Sequence, residues 1–244
     1  MAESLPPPPP LSAAAALLLD FDGTLVELAE APDSIAVPAR LGGLLERVAA
    51  RLSGRIALVS GRPVEDLDRH AGPLEIAVSG SHGLELRPAG AAIRPFERPR
   101  HLAAARDEAA RFAGAHPGLL LEEKPGGFAL HFRAAPDLEG RVAAFAAGLA
   151  ERTGFGVQHG KMVVELLPPG IDKGEAVRRI MAEPPFAGAR PWFVGDDLTD
   201  EHGFEAAAAL GGGGILVGAP RETAARWRLD GVAAVHAWLE AAAA

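Results

Sequence analysis

Cysteine and tyrosine are absent from the 244 residues. Without cysteine there are no disulfides, no thiolate metal ligands and no cysteine nucleophile, and the redox compartment stays open. Asparagine is missing too. Glutamine occurs once, at Gln158, and lysine three times, at Lys124, Lys161 and Lys173, against 21 arginines. With so much alanine, glycine and proline, this is a broad compositional bias. Each lysine kept against it is a candidate for work that arginine's planar fork does not do. Basic charge is short: 24 basic residues face 32 acidic ones, a net of −8. That argues against nucleic acid as a partner. Long apolar runs are missing as well. The nearest, Ala13–Leu19, stops at Asp20, far short of the ~18–20 residues that cross a bilayer. Its flank holds prolines and no basic residue, unlike a signal peptide. No membrane association is expected, and the cytoplasm is the expected location.

Residues 1–12 contain Pro6–Pro10 and read as a disordered or polyproline-II tail. After it, apolar runs alternate with helical patterns. Ala15–Phe21, Ile56–Val59 and Ile76–Ser79 read as buried strands, and Pro38–Leu52 and Val64–His70 as helices. The alternation resumes with helix Lys173–Met181, strand Trp192–Val194, helix Asp200–Ala209, strand Gly214–Val217 and helix Val232–Leu239. This predicts a doubly wound α/β core with a parallel central sheet, built from residues 13–94 and 168–244. Residues 95–167 read differently, as helix–hairpin–helix–hairpin, and form an inserted α+β lid whose core would hold Phe128, Phe132 and Phe155.

In open α/β sheets ligands bind beyond the carboxyl ends of the strands. Four such ends carry polar clusters: Asp20 to Thr24, Ser60-Gly61-Arg62, Gly80-Ser81-His82-Gly83 and Gly195-Asp196-Asp197. A turn at Gly23 lets Asp20 and Asp22 approach one point. With Asp196 as a third acid, the group needs a cation or raised pKa values. A few hard oxygen ligands suit Mg²⁺. A capped loop is the other reading of the Asp-x-Asp pair by itself. No histidines have metal-ligand spacing, and His70, His116 and His236 are expected to be solvated.

Asp20-Phe21-Asp22-Gly23-Thr24-Leu25 resembles the first motif of the haloacid-dehalogenase-like (HAD) phosphatases. Ser60, Lys173 in Asp172-Lys173-Gly174, and Gly195-Asp196-Asp197-Leu198-Thr199-Asp200-Glu201 resemble the second, third and fourth. Together with Ser60-Gly61-Arg62-Pro63, Gly80-Ser81-His82-Gly83-Leu84-Glu85 and Gly160-Lys161-Met162-Val163-Val164-Glu165, they make the chain from Leu17 to Leu239 similar to the trehalose-6-phosphate phosphatases of that superfamily.

The resemblance implies a Rossmann-like HAD core with an inserted cap. It also implies Mg²⁺-dependent hydrolysis of trehalose 6-phosphate through an aspartyl-phosphate, the second step of trehalose synthesis. Asp20 would be the nucleophile and Asp22 the acid and then the base. Ser60 and Lys173 would hold the phosphoryl oxygens. Asp20, Asp22 (through its carbonyl) and Asp196 would hold the metal, with Asp197 and Asp200 orienting its waters and Lys173. An N-cap is the other reading of Asp200, a turn serine of Ser60, and a surface charge of Arg62. Arg62, Gly80, Ser81 and His82 would meet the substrate, though His82 also reads as a structural loop residue. In the lid, Lys124, His131, Arg133, Lys161 and Glu165 would meet sugar hydroxyls. Lys161 and Glu165 are expected on one strand face, as are His131 and Arg133. Cross-strand ion pairing on an exposed face is the alternative for these groups. The expected partner is a small sugar phosphate, with a trehalose-phosphate synthase as a candidate protein partner and a monomer as the expected state. Another sugar-phosphate phosphatase, a phosphosugar mutase and a non-catalytic sugar-phosphate sensor are the competing readings. The joint presence of Asp20, Asp22, Lys173 and Asp196 speaks against the sensor.

Overall fold

A computed structural model describes residues 5–28, 35–95, 101–124, 126–160, 162–168 and 170–243. The chain begins with β1 (Ala15–Leu19), α1 (Leu41–Arg51), β2 (Ile56–Val59), α2 (Val64–Ala71), β3 (Ala77–Gly80), β4 (Glu85–Arg87) and β5 (Arg94–Pro95). Then come α3 (Leu102–Gly114), β6 (Leu120–Lys124), β7 (Gly127–His131), α4 (Glu139–Thr153), β8 (Gly156–Gly160) and β9 (Val163–Leu167). It closes with α5 (Lys173–Ala182), β10 (Arg190–Gly195), α6 (Asp200–Ala209), β11 (Gly213–Val217), β12 (Trp227–Leu229) and α7 (Val232–Ala243). Two compact units result: residues 1–95 with 172–244, and residues 96–171.

The first unit holds an eight-stranded sheet in the order β12-β11-β10-β1-β2-β3-β4-β5. Pairings from β12 to β3 are parallel, and β4 and β5 add an antiparallel edge. β1, all apolar and all buried, has the unbroken run that a strand covered on both faces requires. Its side chains alternate. Leu17 and Leu19 pack with Leu44, Leu45 and Val48 of α1 and Val235 and Leu239 of α7. Ala16 and Leu18 pack with Val177 and Ile180 of α5 and Phe204 of α6. The chain leaves β1 for β2 on one side and returns as β10 on the other. β1 therefore lies at the switch in strand order, where the carboxyl ends leave a crevice.

The second unit is a four-stranded antiparallel sheet, β6-β7-β9-β8. Phe128, Leu130, Val164 and Leu166 face Ala105 and Ala109 of α3 and Val142, Ala146 and Leu149 of α4. Phe132 and Phe155 are buried in the same cluster.

Three features differ from the sequence expectations. β12 is a strand because β11 pairs with it; three residues carry no periodic signal of their own. His236, expected in solvent, is buried with its Nε2 2.8 Å from the carbonyl of Leu25. The proline run, expected as a disordered or polyproline-II tail, is hydrogen-bonded to the first unit at Pro6 and Pro9. Residues 1–4 lie outside the described residues.

Candidate active site

Asp20 is the first residue past β1, and its N–H continues the ladder to the carbonyl of Val194 in β10 at 2.9 Å. The chain then turns at Gly23, with φ +73°. A Cβ there would sit 2.1 Å from Asp196 Oδ2, so glycine lets the loop after β10 close against the loop after β1. α5 starts at a true N-cap: the Asp172 side chain accepts from the N–H of Glu175 at 2.7 Å. The next residue, Lys173, is buried, and its Nζ donates to Asp20 Oδ1 (2.7 Å) and Asp200 Oδ1 (2.6 Å).

Asp200 opens α6 without capping it. Its Oδ2 accepts from the N–H groups of Asp196 (2.9 Å) and Asp197 (3.0 Å), upstream in the loop. The N-cap reading of Asp200 is therefore replaced by a loop clasp. Two glycines make the crowding feasible: a Cβ on Gly195 would lie 2.2 Å from Asp200 Cγ, and one on Gly174 2.6 Å from the carbonyl of His202 in α6.

The electrostatics follow from burial. Asp20, Lys173 and Asp200 are each 4% exposed or less. Burial pushes the Asp20 carboxyl well above the usual range; the Lys173 ammonium opposes this and the Asp200 charge adds to it. Burial likewise raises Asp200, again opposed by Lys173. Asp196 is pushed up to about 6, by burial first and then by the charges of Asp200 and Asp197. For Lys173, burial would favour the neutral amine, but Asp20 and Asp200 outweigh it and hold its pKa above the ordinary value.

Carboxylate oxygens of Asp20, Asp196 and Asp200 lie within 4.8 Å of one another. Three acids facing one ammonium leave excess negative charge in an all-oxygen donor set, which fits a hard divalent cation. Asp200 thus lies within the acidic cluster and holds Lys173. Both its oxygens are engaged, so Asp20 and Asp196 are the better-disposed ligands. The side chain of Asp22 points elsewhere. It takes two hydrogen bonds from Arg62, Nε to Oδ2 (2.7 Å) and Nη2 to Oδ1 (2.9 Å). Arg62 also donates to Asp66 Oδ2 at 2.7 Å. These bonds, from Asp22 first, hold the guanidinium's pKa above its ordinary value and exclude the surface-charge reading of Arg62. Asp197 is exposed and accepts from the N–H of Thr199.

Ser60 is buried past β2, and its Oγ accepts from the N–H of Arg62 at 3.1 Å. Gly80 ends β3. Ser81, His82 and Gly83 then take three successive left-handed φ values of 50°, 57° and 103°, strain that persists where surroundings over-determine it. Here Ser81 N–H donates to the carbonyl of Arg62 (2.8 Å) and His82 N–H to that of Ser60 (3.0 Å). Glu85, given no role by the sequence reading, ties this loop to α2. Its Oε2 accepts from Val64 N–H (2.8 Å) and Ser81 Oγ (3.2 Å). Asp66, also missed, lies in the first turn of α2, while Arg62 lies in the loop before that helix.

In the second unit Lys124 Nζ donates to Glu165 Oε1 across the sheet's polar face. His131 Nε2 lies 2.7 Å from Glu122 Oε2. The sheet thus displays a cross-strand ion pair at Lys124 and Glu165 and a cross-strand hydrogen bond at His131 and Glu122. Arg133 lies past the end of β7, so it does not share a strand face with His131. Lys161 lies outside the described residues, and β9 starts at Val163.

The family model described as Trehalose-phosphatase matches residues 18–233. The trehalose-6-phosphate phosphatase of Escherichia coli (strain K12) is 40% identical, over 98% of this chain and 91% of that one. A probable trehalose-phosphate phosphatase of Sinorhizobium fredii is 37% identical, over 84% of this chain and 78% of that one. Among solved structures, a trehalose-6-phosphate phosphatase related protein superposes with a TM-score of 0.70 at 27% identity, covering 93% of this chain and 96% of the other.

Proposed function

Because this chain belongs to the trehalose-phosphatase family, we propose that it hydrolyses trehalose 6-phosphate to trehalose and phosphate by way of Asp20 and Asp22. The observation that carries the reading is the buried set of Asp20, Lys173 and Asp200 beside Asp196, in which a carboxylate is held by an ammonium at the switch in strand order.

Asp20 attacks phosphorus. A P–O bond to Asp20 forms as the bond to the sugar oxygen breaks, and Asp22 donates the proton that oxygen needs. Asp22 then takes a proton from water, whose oxygen attacks phosphorus and releases phosphate and free Asp20. The two Arg62 bonds keep Asp22 in one orientation for both proton transfers. Lys173 and the Ser60 hydroxyl donate to phosphoryl oxygens, where negative charge must be held. Mg²⁺ held by Asp20, Asp196 and the Asp22 carbonyl would supply the charge that lets an anionic nucleophile meet an anionic phosphate.

The second unit is proposed as a cap that selects the leaving group, with Lys124, His131, Arg133, Lys161 and Glu165 as candidate partners of sugar hydroxyls. Arg62, Gly80, Ser81 and His82 are proposed as the core-side substrate contacts. The test is phosphate release over a panel of sugar phosphates, with Mg²⁺ or EDTA, for the wild type and Asp20→Asn. Turnover of trehalose 6-phosphate that needs Mg²⁺ and disappears in folded Asp20→Asn is expected. Substantial activity in that variant would remove Asp20 as nucleophile.

A further inference from the structure

All three tryptophans of the chain stack together in the first unit, from β10, β12 and α7. Trp192 of β10 stacks on Trp227 of β12 at 4.8 Å and 12°, and Trp238 of α7 lies 6.1 Å from Trp192 at 13°. β12 is the outermost strand of its sheet, and an outer strand presents N–H groups with no ladder partner. Prolines take that place. Arg228 N–H donates to the carbonyl of Pro6 at 3.0 Å, and the Trp238 indole Nε1–H donates to that of Pro9 at 3.2 Å.

The two carbonyls are three residues apart, which is one turn of a polyproline-II helix. The run is stiff, because each proline ring fixes φ. Its ends are anchored on opposite faces of the sheet: Leu5 packs on the cluster of Ala16, Leu18 and Phe193, and Leu11 on that of Leu17 and Leu19. The run therefore crosses the sheet edge from face to face.

We propose that the edge formed by Trp192, Trp227, Trp238 and the Arg228 N–H is a polyproline-recognition site, with Pro6–Pro10 as its built-in ligand, and that it takes a proline-rich peptide in trans once that run is displaced. Aromatic surfaces read polyproline II because its carbonyls are preorganised and point outward, and an indole supplies both an apolar face and one donor. A run tethered a few residues away acts at an effective concentration of about millimolar, so a micromolar peptide cannot displace it from the wild type.

The test uses the full chain carrying Pro6→Gly and Pro9→Gly, titrated with a synthetic peptide of residues 3–12 and followed by tryptophan fluorescence. Saturable binding to this variant is expected, at least about tenfold tighter than to the wild type. Trp238→Phe added to the variant should weaken binding about fivefold, the worth of one hydrogen bond. Phosphate release and a thermal melt report that each variant is folded. The proposal is overturned if the folded variant shows no saturable binding, if the wild type binds equally well, or if Trp238→Phe has no effect. A concentration-dependent dimer formed by exchange of the run would overturn the assignment to the chain's own site.

Discussion

Lys173→Met would remove the ammonium that faces two buried carboxylates while keeping nearly the same volume. Nζ lies 2.7 Å from Asp20 and 2.6 Å from Asp200, in side chains 5%, 6% and 0% exposed. At an effective dielectric of 20, each contact is worth about 6 kcal/mol before solvation. The desolvation of the ammonium offsets much of this, and stripping one partner from a buried pair costs about 3–5 kcal/mol net. Urea unfolding in EDTA at pH 8 should show that loss. The pH dependence has a definite sign. Burial already raises Asp20 and Asp200, and without the ammonium they rise further. The folded variant then binds more protons than its unfolded chain. Its stability is retained below the unfolded carboxylate values near 4 and lost as pH rises through the raised ones. The deficit should therefore shrink toward pH 4, and a divalent cation should restore part of it at pH 8. Lys173→Arg should keep more stability yet lose turnover, because a planar fork does not replace a compact ammonium between two oxygens. A deficit under about 1 kcal/mol in EDTA at pH 8 would refute this reasoning, as would one that grows on acidification.

Gly23→Ala places a Cβ 2.1 Å from Asp196 Oδ2 at a φ of +73°. The backbone strain is about 1–2 kcal/mol, and Asp196 must move. The Mg²⁺ concentration for half-maximal activity should rise at least about tenfold while the melting temperature falls by about 2–8 °C; an unchanged requirement would separate Asp196 from the cation. Asp196, pushed up to about 6, must be ionised to bind a cation, so calorimetric Mg²⁺ affinity should fall as pH drops through about 6. A flat profile from pH 7 to 5 would contradict that ligand assignment. Glu165→Ala breaks the pair with Lys124, in which the side chains are 17% and 27% exposed. The stability loss should be at most about 1 kcal/mol, and kcat/KM should fall far more for trehalose 6-phosphate than for a small aryl phosphate. Equal losses on both substrates would end its role in specificity.

The core strands were legible because a strand buried on both faces has little choice of residues: Ala15–Leu19 and Ile56–Val59 must be apolar, and each stops where polar residues begin. The polar residues at those stops were legible for the same reason. What escaped was set by contacts distant in sequence or by loop closure. Asp200 opens a helix and so looks like a cap, yet its bonds run to N–H groups of a loop that curls back over it. His236 is buried by a carbonyl 211 residues away, and no local pattern encodes that. Pro6–Pro10 has the composition of a free tail. Its placement depends on Trp238 and Arg228, more than 200 residues on. The shared face expected of His131 and Arg133 failed for a simpler reason: β7 ends two residues before Arg133.

The −8 net charge is not spread evenly in its consequences. Asp20, Asp196 and Asp200 are pressed together because Gly23 and Gly195 carry no Cβ, and Lys173 offsets one charge of the three. A site left about two charges negative would repel the phosphate it is proposed to bind, and its own Asp196 already resists ionisation. Stability alone gives no reason to build such a cluster, since buried unpaired carboxylates cost free energy. A divalent cation resolves both difficulties at once: it neutralises the excess and turns a repulsive pocket into an attractive one. On the proposed reading, the same glycines that crowd the acids would make the pocket dependent on metal. That dependence is the physical reason to expect metal loading, stability and phosphate binding to rise and fall together in this protein.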